Sequence, residues 1–240
     1  METNVPQELV DIVSKKIMDI DAYKRSGLFF MRLFAASRMI KTSAWIKALN
    51  SVFETVAKDA FKEIPNNIRV RVSADTSGSM TTRINDSVVT AGEVAAYFTA
   101  ACAISIPNTK AYATATITKE VPIITDNITV EARNIMHTDT GYGTCFSTLL
   151  KSYNGENIVL LITDTQQSDN VERAWQKLTN KPANAKFIIW DVVGYLHNNC
   201  ISKDPTMLYI HGYSDSTISL VSNLILGKAG QTDVVKTVQL

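Results

Sequence analysis

From residue 68 to residue 226, short apolar runs alternate with stretches of helical period, and that alternation admits very few architectures. Residues 68–74 alternate apolar and polar at first, then run into an Asp-rich loop. Residues 111–118, 121–125, 186–193 and 207–210 also read as strands. Residues 158–163 form a continuous apolar run, which suits a strand buried on both faces. Helical patterns fall between them, at 87–106 (with Val94, Ala95, Phe98 and Cys102 on one stripe), 146–152, 171–178 and 215–226. Strand and helix in alternation predict an α/β fold: a doubly wound, mainly parallel sheet with helices on both faces.

Ahead of Pro65-Asn66-Asn67 the pattern is helical. Leu9, Val10, Val13, Ile17 and Ile20 recur at helical spacing, as do Trp45, Leu49, Val52, Phe53, Val56 and Ala60 behind a cap at Thr42 or Ser43. Residues 28–40 read as a third helix. The expected organisation is a helical extension at 1–66, an α/β domain at 67–226 and a tail at 227–240. Between residues 22 and 53 stand Lys24, Arg25, Arg32, Arg38, Lys41 and Lys47 with no acidic residue, and Phe29, Phe30, Phe34 and Trp45 lie among them. One reading is a phosphate-binding face. The other is solvated cations on helices whose aromatics pack inward, which the spacing of Phe30 and Phe34 favours. Docking against another chain is a third.

The segment richest in chemistry is the strand that enters Asp75-Thr76-Ser77-Gly78-Ser79-Met80. In a doubly wound sheet, ligands bind beyond the carboxyl ends of strands. Asp75, Ser77 and Ser79 therefore belong to the functional edge, and alternate positions on a turn can aim three oxygens at one point. Gly78 is expected to let the backbone fold tightly between them. The run at 158–163 ends the same way, in Asp164-Thr165. A third loop, Thr138-Asp139-Thr140-Gly141-Tyr142-Gly143-Thr144, delivers Thr144 just before a short helix. Hard oxygen donors of this kind suit Mg²⁺, with Mn²⁺ or Ca²⁺ as alternatives.

Asp75-x-Ser77-x-Ser79, followed by Thr144 and Asp164, resembles the metal-ion-dependent adhesion site of von Willebrand factor A domains. The resemblance implies a von Willebrand factor A/Rossmann-like fold with direct metal ligation by Ser77 and Ser79. Thr144 would bind according to state, and Asp75 and Asp164 largely through water. A carboxylate from a partner would complete the octahedron. Within that class, Ala48-Leu49-Asn50 to Phe61, the segment 68–80, Gly143-Thr144-Cys145, Thr163-Asp164-Thr165 and residues 204–225 look like the A domain of the Ro ribonucleoprotein (TROVE) family. The family's Gly-Thr-Asp stands here as Gly-Thr-Cys, one carboxylate fewer. Ro proteins carry a long ring of helical repeats that binds RNA ends, whereas about 65 residues precede this A domain, so RNA binding does not carry over with the resemblance.

The remaining signals are bland. A formal net charge of +1 points to neither nucleic acid nor membrane, and 45 % hydrophobic residues support a packed core. Cys102, Cys145 and Cys200 are odd in number and widely spaced, as expected of reduced thiols in a cytoplasmic protein. Cys145 reads as a small buried residue, and His197-Asn198-Asn199-Cys200 as a loop rather than half a metal site. Asn85-Asp86-Ser87 and Asn127-Ile128-Thr129 carry no weight as glycosylation signals without a secretory leader. No run approaches the roughly 20 apolar residues of a membrane span. The leading expectation is a non-enzymatic module that binds an acidic group of a partner protein, or of a neighbouring copy, through a divalent metal. The alternatives are a Ro-like RNA-binding component that uses the basic helices, and a structural subunit of a larger assembly such as a virion.

Overall fold

The computed structural model describes residues 5–26, 30–84, 87–194 and 202–228. Leu28, Phe29, Asn85-Asp86, His197-Asn198-Asn199-Cys200 and residues 229–240 of the tail lie outside the described residues, as do the side chains of Lys24 and Phe30. Six strands form one sheet: β1 (Val70–Asp75), β2 (Thr109–Thr114), β3 (Thr118–Val121), β4 (Ile158–Thr163), β5 (Lys186–Asp191) and β6 (Met207–His211), in the order β3-β2-β1-β4-β5-β6. Every pairing is parallel except β2 with β3. The order reverses at β1, whose two neighbours are β2 and β4. The carboxyl ends of β1 and β4 are thus the switch point where doubly wound sheets hold ligands.

Period-two alternation sends the central strands to two cores. Val70, Val72, Ala74, Ile158, Leu160 and Ile162 face one core, while Val159, Leu161, Phe187 and Ile189 face the other with Phe146 and Trp175. All six residues of β1 are buried, so the alternation seen in the sequence does not mark a half-exposed strand. Its polar members are internally satisfied. Arg71 gives its five N–H bonds to Glu156, Leu149 O, and the hydroxyl and carbonyl of Ser152. Ser73 shares a 2.7 Å hydrogen bond with Thr114.

The helices are α1 (Gln7–Ile17), α2 (Ile20–Ser26), α3 (Phe30–Met39), α4 (Ser43–Phe61), α5 (Ala91–Ser105), α6 (Ile128–Met136), α7 (Val171–Gln176) and α8 (Asp215–Leu226). The first helical pattern is broken at Asp19, whose carboxylate accepts from Ala22 N and starts α2. The helix expected from residue 87 begins at Ala91, behind a capping box of Thr90 and Glu93. Phe146–Leu150 is a 3-10 turn rather than an α-helix. Residues 121–125 are not a separate strand: β3 ends at Val121, and α6 follows in a stretch where no helix was expected. Phe34, Phe53, Ala57 and Phe61 from α3 and α4 lie in the same core as α5, α8 and the sheet.

Candidate metal centre

Asp75 is the last residue of β1, at the buried head of the loop. Its Oδ1 accepts from Ser77 N at 2.9 Å and its Oδ2 from the Thr163 hydroxyl at 2.7 Å. The carboxylate thus holds the turn it begins and ties it to the end of β4. Ser77 and Ser79 place their hydroxyl oxygens 3.2 Å apart. Asp164, the first residue past β4, is fully buried. Its Oδ1 accepts from Gln166 N at 3.2 Å, and its Oδ2 is buried with no hydrogen-bond donor. Thr165 follows at φ 65°, a left-handed conformation that β-branched residues rarely adopt.

The third loop is drawn onto the first. Gly78 N donates to Tyr142 O at 3.1 Å, and the hydroxyls of Thr76 and Thr140 lie 2.7 Å apart. Thr144 is half-buried on that loop, and its carbonyl accepts from Ser168 N. The structure therefore brings Asp75, Ser77, Ser79 and Asp164 to one edge and carries the Thr144 loop against them. The role expected of Gly78 is not seen. Its φ is not positive, and an added Cβ would meet Tyr142 O at an ordinary 3.6 Å. The glycine that the turn requires is Gly141, at φ 81°, where a Cβ would sit 2.7 Å from the Thr116 hydroxyl.

Burial pushes the Asp75 carboxyl up to about 7, against hydrogen bonds from Ser77 and Thr163 and with a further push from Asp164. Burial also raises Asp164; the nearby Ser79 hydroxyl opposes this, and the charge of Asp191 adds to it. Two buried carboxylates driven toward their neutral forms make a site short of positive charge.

Two carboxylates here were not singled out from the sequence. Asp191 ends β5 as Asp164 follows β4, and accepts from Val193 N, Gly194 N and the Tyr209 hydroxyl. An apolar run ending in Asp was its signal, hidden because the strand was read through to residue 193. Asp169 accepts from Phe146 N, Ser147 N and the Cys145 thiol, so a carboxylate stands beside Cys145 although the stretch Gly143-Thr144-Cys145 itself carries none. Nothing local in the sequence places it there. Cys145 is half-buried rather than buried, and burial, with Asp169 nearby, raises its thiol.

The donor chemistry fits a hard divalent cation. Two buried carboxylates, one with an orphaned oxygen, stand beside paired hydroxyls. Among the described residues no three His, Cys, Asp or Glu side chains cluster as a metal site, so hydroxyl oxygens would have to be among the ligands. The basic residues of the helical part are dispersed. Arg25 lies on α2, Arg32 and Arg38 on α3, Lys47 on α4 and Lys41 between α3 and α4, all exposed. Arg38 forms a 2.5 Å ion pair with Glu93 at the start of α5.

No protein-family model matches the sequence, and no curated protein matches it. Among solved structures, the Ro (RSR) protein of Deinococcus radiodurans superposes with a TM-score of 0.73 at 17 % identity, over 95 % of this chain and 50 % of that one. The chain thus spans about half the length of that protein. BatB from Bacteroides thetaiotaomicron aligns at a TM-score of 0.44 and 14 % identity, over 71 % of this chain and 100 % of that one. An aerotolerance-related membrane protein from Bacteroides fragilis aligns at 0.42 and 13 %, with the same shares. The first likeness shows the fold: a von Willebrand factor A-type α/β domain with preceding helices, as in the Ro protein. Among the described residues no helix is long and apolar enough to cross a membrane.

Proposed function

We propose that this chain is a non-enzymatic interaction module that binds an acidic group of a partner protein, or of a neighbouring copy, through a divalent cation, Mg²⁺ first and Mn²⁺ or Ca²⁺ as alternatives. The observation that carries this reading is the orphaned Oδ2 of Asp164 beside the Ser77–Ser79 hydroxyl pair. A buried carboxylate oxygen without a donor costs several kcal/mol unless a positive group reaches it. Ser77 and Ser79 would ligate the cation directly, with Thr144 from the neighbouring loop. Asp75, fixed by Ser77 N and Thr163, and Asp164 would supply the neutralising charge. When bound, the cation offers a Lewis-acidic position to a carboxylate oxygen.

Burial and Asp169 raise the Cys145 thiol, where a nucleophile needs the reverse, so this reading gives Cys145 no chemical role. Calorimetric titration of Mg²⁺ and Mn²⁺ into EDTA-stripped protein should give one site, abolished by Ser77→Ala. No binding of either ion at about 10 mM would overturn the reading.

A second reading, RNA binding, rests on the exposed cations Arg25, Arg32, Lys41 and Lys47 of the helical part. It requires RNA retention at low salt with a steep loss as salt rises. A gel shift without retention would remove it.

A further inference from the structure

The amino edge of the sheet, at the opposite end of β1 from Asp75, carries a cleft of about 630 Å³. That volume lies in the range of small-molecule sites, roughly 300–1,000 Å³. Asn66, Asn67, residues 69–71, the start of β2, Glu120 of β3 and the loop before β4 line it.

Its charges divide into closed and open ones. Arg71 at the floor is closed: all its N–H bonds are made within the protein, and its guanidinium carbon lies 4.3 Å from the Tyr112 ring centre. Lys110 is paired with Glu120 at 3.0 Å, and Glu120 also accepts from the Tyr112 hydroxyl. Arg69 differs. It is exposed, and among the described residues no carboxylate lies within ion-pair distance of it. Its Nη2 donates to Asn154 O at 2.7 Å, which holds the guanidinium while leaving donors unused. Its backbone is fixed from both sides. Arg69 N donates to the Asn157 side chain, and Arg69 O accepts from Asn157 N and Ile158 N.

The neighbouring start of β2 is held as well. Asn108, in the left-handed region at φ 51°, accepts from Val70 N through its carbonyl and donates its side-chain amide to Asn66 O. The cleft is therefore a preorganised concavity. It has one unpaired, positioned guanidinium, and Asn66, Asn67 and Asn154 are among the residues that line it. A guanidinium with free donors selects an oxyanion, for phosphate in a forked geometry. Side-chain amides can both donate to and accept from hydroxyl groups.

We propose that this cleft binds a small phosphomonoester with a hydroxyl-rich body, with Arg69 as the phosphate ligand. The proposal is independent of the metal edge, and its test is run in EDTA. Ribose 5-phosphate, inorganic phosphate and ribose are titrated into ¹⁵N-labelled protein. Ribose 5-phosphate should shift the side-chain amide resonances of Asn66, Asn67 and Asn154. Inorganic phosphate should bind more weakly, and ribose weakest. Arg69→Gln should weaken ribose 5-phosphate binding about tenfold or more, and Arg69→Lys, which keeps the charge, should restore part of it. Thermal unfolding of each variant verifies the fold. If Arg69→Gln does not fold, the comparison of Arg69→Lys with wild type and the ranking of the three probes decide. The proposal is overturned by no shift with ribose 5-phosphate at about 10 mM, by equal binding of ribose, or by unchanged affinity in folded Arg69→Gln. Inorganic phosphate binding as tightly as ribose 5-phosphate overturns the hydroxyl-rich body.

Discussion

Asp75 is pulled two ways by its position. The hydrogen bonds from Ser77 and Thr163 require a carboxylate, while complete burial favours the acid. Its carboxyl rises from an ordinary 3.8 to about 7. A raised pKa in the fold contributes stability that is fully present below the unfolded value and is lost as pH rises through the folded one. In EDTA, Asp75→Asn, which removes the buried charge and one of the two acceptors with it, should therefore gain on wild type as pH rises from 4 to 8, by up to about 4 kcal/mol relative to its offset at pH 4. Denaturant midpoints at the two pH values measure this, and a gain on acidification instead would refute it. With excess Mg²⁺ the wild type should recover and Asp75→Asn should recover less. Gly78→Ala should leave unfolding within about 1 kcal/mol of wild type, because the added methyl meets only ordinary contacts. A loss of several kcal/mol on denaturation would show that the loop needs the glycine after all.

Among the elements, α6 and α3 owe most to tertiary partners. Glu131 of α6 is buried and accepts from Ile124 N, Thr125 N, the Thr125 hydroxyl and the Asn134 amide. Burial works to raise its carboxyl, but these bonds, led by Thr125, hold it below its ordinary range. One carboxylate thus folds the segment after β3 back onto α6. Glu131→Gln should cost about 1–3 kcal/mol at neutral pH, through loss of charge-assisted bonds, and the difference should shrink as pH falls below 4.5. Urea titrations across that range provide the measurement. On α3, Phe34 packs its ring 4.0 Å from Tyr97 of α5 and 6.1 Å from Phe53 of α4. Phe34→Ala should cost about 3–5 kcal/mol in chemical denaturation, the penalty of a large core cavity. A surface-like loss under 1 kcal/mol would mean that α3 is not part of the core.

For the molecule as a whole, the shared core sets the cooperativity. Phe34, Phe53 and Phe61 of the helical part and the strand residues Val72, Leu160 and Ile188 belong to one apolar cluster. Differential scanning calorimetry should accordingly show one unfolding transition in which helices and sheet melt together. Two resolved transitions would show that the helical part folds independently.

Much of this architecture was legible because it rests on local periodicity. The run at 158–163 suits a buried strand, the run at 186–193 reads as a strand that in the fold ends at Asp191, and the Asp-x-Ser-x-Ser turn after an apolar strand belongs at a carboxyl edge. Asp75, Ser77, Ser79 and Asp164 follow from that reasoning, since strand ends converge once the strands are parallel neighbours. What escaped it depends on partners distant in the chain. α6 has a visible cap at Asn127, yet its place is secured by Glu131 gripping Thr125. Arg71 and Ser73 look like solvent-facing alternates and are buried, because Glu156, Ser152 and Thr114 are brought to them by other elements. Asp169 comes to Cys145, and Arg69 comes to stand over the amino-edge cleft, for the same reason. Hydrophobic period is written in neighbouring residues, whereas the satisfaction of a buried polar group is settled only when the fold chooses its neighbours.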